Sequence, residues 1–183
     1  MIAVRGTARR RAARRAFSLV ELVMVVTIIG MIASIAVPRV SAGARSANAA
    51  ALAATLGSVR TAIDAYYAEH GKYPGYVPGT DTPDGARFVN QLLMYSDAKG
   101  DTKPTYGGAY VFGPYLRAPF PTTPINKLST VHVKAKPGDA DPAAGTVGWI
   151  AVFSHGYFGI SATDPELDQV GVRQADKQQL RTQ

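Results

Sequence analysis

The sequence predicts an α+β protein: a long N-terminal helix, apolar in its first half and amphipathic in its second, packed on a small antiparallel sheet. Three observations carry this. Phe17 to Val37 is an apolar run of 21 residues with one charge, Glu21. Leu52, Leu56, Val59, Ile63 and Tyr66 recur at helical spacing. Short alternating segments, Gly148 to Phe153 and Tyr157 to Ala162, lie near the C-terminus.

The leader comes first in the chain. The net charge is +7, and six of the 20 Lys and Arg residues (Arg5, Arg9, Arg10, Arg11, Arg14 and Arg15) precede Phe17. Residues 1–16 hold no acid, so the remainder carries 14 basic against 13 acidic residues. The basicity therefore belongs to the leader, and the body lacks the basic, aromatic-interleaved surface of a nucleic-acid binder. The chain has no cysteine, which excludes disulfides, thiolate metal sites and cysteine nucleophiles.

At about 1.5 Å per residue, a helix over Phe17 to Val37 spans roughly 30 Å, the thickness of a bilayer's hydrocarbon core. An arginine-rich start before such a run is an export signal with its basic end held in the cytoplasm. Three processing routes fit this pattern. Cleavage after Ala42-Gly43-Ala44 would make it a secretory signal peptide, but the run exceeds a usual h-region of about 7–15 residues and contains Glu21. An uncleaved anchor explains the length and leaves the acid unexplained. Cleavage between Ala16 and Phe17 keeps the helix on the mature protein. Glu21 needs a reason, because a carboxylate costs roughly 2.5–3.5 kcal/mol at a membrane-helix centre and less near an interface.

Beyond the run, Pro38 cannot donate to the carbonyl of Ser34, and the helix is expected to bend or loosen there without ending. Arg39 to His70 is Ala-rich, with good helix propensity. Its apolar stripe, Leu52 to Tyr66, steps by four, three, four and three residues and is expected to pack on a sheet. Arg60 and Asp64, one turn apart, are placed on a solvated face. Gly71 and Tyr73-Pro74-Gly75 stop the helix. One helix from Phe17 to about His70 would be 54 residues and roughly 80 Å long.

Residues 74–125 read as a Pro-, Gly- and Asp-rich loop region. It holds a short helix near Ala86 to Tyr95, on which Phe88, Leu92 and Tyr95 share a face. Val131-His132-Val133 is a short strand. Gly148–Phe153 and Tyr157–Ala162 form an antiparallel hairpin around Ser154-His155-Gly156. Residues 173–183 are expected to be a loose tail. His70, His132 and His155 are scattered without metal-ligand spacing, and no nucleophile elbow or phosphate loop is present, so the chain is not read as an enzyme. Asp164, Glu166 and Asp168 alternate in an expected loop after the last strand, a spacing that suits calcium.

Arg15-Ala16-Phe17-Ser18-Leu19-Val20-Glu21-Leu22 resembles the class III signal of type IV pilins and type II secretion pseudopilins. That pattern is a short basic leader, a small residue, then Phe, then Glu four residues on, opening an apolar helix. Pro38 sits where these proteins often carry a kinking proline. Tyr66-Tyr67-Ala68-Glu69-His70-Gly71-Lys72-Tyr73-Pro74 also looks like the helix end of pseudopilins, and Gly113-Pro114-Tyr115-Leu116 resembles the loop between helix and sheet in major (G-type) pseudopilins, the group the chain is most similar to. Ala16 departs from the usual Gly before the cut.

The resemblance implies a pilin-like fold divided into a cleaved leader (1–16), a membrane and filament-core helix (17–38), a periplasmic globular domain (39–172) and the tail (173–183). A prepilin peptidase would cut Ala16–Phe17 and methylate the new amine on Phe17. Glu21 would then pair with the amine of a neighbouring subunit and help set filament stagger. Major pseudopilins also carry a C-terminal calcium loop, which Asp164, Glu166 and Asp168 resemble. The implied role is structural: a pseudopilus subunit of a type II secretion system, anchored by a single pass in the bacterial inner membrane. Its implied partners are identical and related subunits, the peptidase, the membrane and an inner-membrane assembly platform, without nucleic acid. A type IV pilin for adhesion, motility or DNA uptake and a membrane-anchored periplasmic binding module are the alternative readings.

Overall fold

A computed structural model describes residues 18–77, 79–80, 82–143 and 145–169, with the side chains of Val37, Pro38, Asp164 and Gln169 left aside. The described residues fall into two compact units divided between Ser41 and Ala42. Helix α1, Leu19–His70, runs through Pro38 and across that division without a break. It stops where expected: Gly71, at φ 67°, donates its N–H to the carbonyl of Tyr67 at 2.8 Å.

The second unit has one core. Leu52, Leu56, Val59, Ile63 and Tyr66 of α1 are all buried, as the stripe predicts. They share a cluster with Phe88 and Leu92, with Val131 and Val133, and with Trp149, Ala151, Phe158 and Ile160. Phe158 stacks on Trp149 at 5.2 Å and on Phe88 at 5.8 Å between ring centroids. The indole N–H of Trp149 donates to the carbonyl of Pro121 at 2.9 Å, so the buried ring leaves no polar atom unpaired.

Helix α2, Gly85–Leu93, starts on Asp84, whose carboxylate accepts from Ala86 N at 2.8 Å and Arg87 N at 3.1 Å. A Cβ on Gly85 would stand 1.9 Å from the carbonyl oxygen of Val131, so only glycine lets this helix start against the sheet. Phe88 and Leu92 form its buried face as expected. Tyr95 does not share that face, because α2 ends at Leu93 and Tyr95 lies in strand β1.

Strands β1 (Tyr95–Ser96) and β2 (Thr102–Lys103) form a small antiparallel pair around the turn Asp97–Asp101. The main sheet has β3 (Val131–Lys134), β4 (Trp149–Val152) and β5 (Tyr157–Ile160), in that order. β4 and β5 are the predicted antiparallel hairpin, with Ser154 and His155 exposed on its turn. The sheet departs from wholly antiparallel in one pair: β3 runs parallel to β4, in the register Val131↔Trp149 to Lys134↔Val152. Residues 135–148 must therefore return the chain to the same end of the sheet before β4 begins. Gly113–Pro114 and Ala118–Pro119 are cis. A short helix α3, Asp164–Gln169, follows the sheet.

Candidate functional site

The candidate site is the first half of α1. Its large apolar residues from Leu19 to Ile35, and Val40 beyond, are exposed. Among the described residues this is the one helix long and apolar enough to cross a membrane. Its hydroxyls are satisfied within the helix: Thr27 donates to the carbonyl of Val23 and Ser34 to that of Met31, both at 2.7 Å. A segment placed in hydrocarbon needs this, since no water is there to serve stray polar groups.

Glu21 lies in the first turn of α1 and is exposed. Leu22 N bonds to Ser18 O at 3.2 Å, which makes Ser18 the residue flanking the helix start. Ser18 and Glu21 thus have the three-residue spacing of a capping box, and a carboxylate there is favoured by the positive end of the helix dipole. Sequence reasoning did not single out this Ser-x-x-Glu spacing. Ala16 and Phe17 lie outside the described residues.

The three acids after the sheet are not in a loop: they sit on α3. Helical positions two apart face opposite ways, which separates Glu166 from Asp168. Glu166 instead turns back on Thr163, accepting from its N–H at 2.7 Å and its hydroxyl at 2.8 Å. Those two bonds hold its carboxyl below the usual carboxylate range. Among the described residues no three His, Asp or Glu side chains gather as a metal site.

Two polar residues of the globular unit were misread or missed. Arg60 is not simply on a solvated face: its Nε and Nη2 donate to the carbonyl of Phe158 at 3.1 and 3.0 Å. Gln91 is fully buried, accepting from Gly75 N at 2.7 Å and donating to the carbonyl of Gly100 at 2.9 Å. Gly100 (φ 85°) faces Tyr66, whose hydroxyl would be 2.6 Å from an added Cβ. Burial pushes the Tyr66 hydroxyl upward from the ordinary tyrosine range. Tyr115 is pushed up too, by burial and then by donating to the Glu69 carboxylate. His70 stacks on Tyr66 at 3.9 Å and packs against Phe112, closing the end of α1.

An α+β chain whose long N-terminal helix is bare and apolar in its first half, and built into a small sheet in its second, has a pilin-like architecture. Residues 11–37 match a family model described as the prokaryotic N-terminal methylation motif, which supports a type IV pilin-like precursor. No curated protein and no solved structure matches the chain.

Proposed function

We propose that this chain is the structural subunit of a type II secretion pseudopilus. Prepilin peptidase hydrolyses the Ala16–Phe17 bond and methylates the amine freed on Phe17. The mature subunit waits in the inner membrane with its globular unit in the periplasm. The assembly platform then draws it into a filament of identical and related subunits, where the apolar half of α1 exchanges lipid for neighbouring helices. The carrying observation is the coincidence of the methylation motif at residues 11–37 with an exposed apolar helix from Leu19 onward.

Glu21 has its role in that exchange. A neighbouring subunit's Phe17 amine and the Glu21 carboxylate offset each other's desolvation once both leave the membrane surface. The likeness of the segment around Tyr73-Pro74 to pseudopilins, and of that around Gly113-Pro114 to major pseudopilins, favours secretion over a surface pilus. N-terminal mass spectrometry of the membrane-extracted protein tests the reading. An N-methyl-Phe17 terminus supports it, and a mature start at Arg45 overturns it.

A further inference from the structure

The first half of α1 carries a charge pattern that the proposed assembly role does not use. After Glu21 the next charged residue is Arg39, and the 17 residues between them, Leu22 to Pro38, carry none. The two are 18 residues apart, five helical turns, so they lie on the same side of α1. Along the axis they are separated by roughly 27 Å, close to the hydrocarbon thickness of about 30 Å. Both are exposed. No acid occurs on α1 between Glu21 and Asp64, so the helix offers Arg39 no carboxylate within a turn.

Resting on the membrane reading above, the geometry points to Arg39 as a lipid-binding residue that fixes the depth of α1 in the bilayer. Its guanidinium takes phosphate oxygens of phospholipid headgroups on the side where the globular unit lies. Arginine suits this: it stays charged, and its planar fork matches phosphate oxygens in pairs. With Arg39 at one headgroup layer, the 27 Å spacing brings Glu21 to the opposite hydrocarbon boundary rather than into the middle. The carboxylate can then remain at an aqueous interface, next to the bond to be cut, until the subunit is extracted. Arg39 thus sets where the methylated terminus waits.

Without Arg39 the uncharged run would extend from Leu22 to Ala44, 23 residues or roughly 35 Å, and its outer boundary would shift to Arg45. The chain is free of cysteine, so single cysteines can report depth without a background. The full-length protein is reconstituted in vesicles of phosphatidylethanolamine and phosphatidylglycerol. Ala36→Cys and Val40→Cys are each probed with a membrane-impermeant maleimide. Ala36→Cys is expected to be protected and Val40→Cys to label. Adding Arg39→Leu should slow labelling at Val40→Cys by roughly fivefold or more, and Arg39→Lys should restore most of it. An unchanged rate at Val40→Cys with Ala36→Cys still protected overturns the role of Arg39 alone. Free labelling of Ala36→Cys overturns the membrane reading together with it. Slowing that vanishes on dilution with lipid would assign Arg39 to a second copy of the chain and likewise overturn the lipid role.

Discussion

Arg60 ties the helix to the free edge of the main sheet, and removing that tie should have a measurable cost. β5 is an edge strand, and such strands present unpaired backbone groups that must be covered or hydrated. Arg60 covers the Phe158 carbonyl with two donors of one guanidinium. A hydrogen bond from a charged donor contributes about 1.5–3 kcal/mol. Both donors share one acceptor, and Arg60 is only half-buried, so the lower end applies, about 1.5 kcal/mol. Arg60→Met keeps the apolar stem and removes both donors. For a unit of this size, that corresponds to a fall in Tm of about 5 °C. The assay is a thermal melt of the full chain in detergent, followed by Trp149, the single, fully buried tryptophan. Asp64→Ala is the control, with an expected effect below about 0.5 kcal/mol, because an exposed surface substitution contributes little. A Tm for Arg60→Met within about 1 °C of the parent, or an equal loss from Asp64→Ala, would refute the edge-cover argument.

Four further outcomes can be measured. Gln91→Leu should cost about 1–3 kcal/mol, read by the same melt, because Gly75 N loses its buried acceptor while the Gly100 carbonyl keeps Arg87 at 3.4 Å. Tyr66 and Tyr115 have folded pKa values raised above the ordinary tyrosine value of about 10. Their contribution to stability is therefore fully present below about pH 10 and is lost as pH rises beyond it. In an alkaline titration followed by phenolate absorbance, these two should ionise only as the protein unfolds, and Tyr115→Phe should remove one late step. Glu21→Ala should leave expression and processing intact and abolish filaments seen by electron microscopy. Ala16→Gly should raise the processed fraction at a fixed time on immunoblots, since it restores the residue the peptidase usually meets.

The parts of the fold visible in the sequence are those specified by local periodicity. The stripe from Leu52 to Tyr66 encodes its buried face in its own spacing, and the hairpin from Trp149 to Ile160 is marked by its two short apolar runs around a turn. The parallel pairing of β3 with β4 has no such encoding, because it depends on how residues 135–148 return. Nothing in the sequence around Gln91 signals burial, which follows only from two backbone groups that distant loops bring to it. Arg60 was matched to the acid one turn away, whereas its acceptor lies 98 residues along the chain. In the candidate site, Glu21 and the apolar run stood out because an acid in an apolar helix conflicts with its surroundings. The acids at 164–168 were expected in a loop because they alternate with a period of two, whereas they lie on the short helix α3.

The parallel pairing of β3 and β4 also determines where the chain can change in length. The segment from Lys136 to Val147 travels outside the hydrogen-bonded ladder, with Gly138, Ala140 and Thr146 exposed. The ion pair of Lys134 with Asp141 at 2.9 Å ties down the first part of this segment. Because doubling a flexible loop costs only about 0.6 kcal/mol, added residues there would leave the core and the α1 helix as they are. The crossover can thus vary in length while the paired strands and the buried stripe of α1 stay constant.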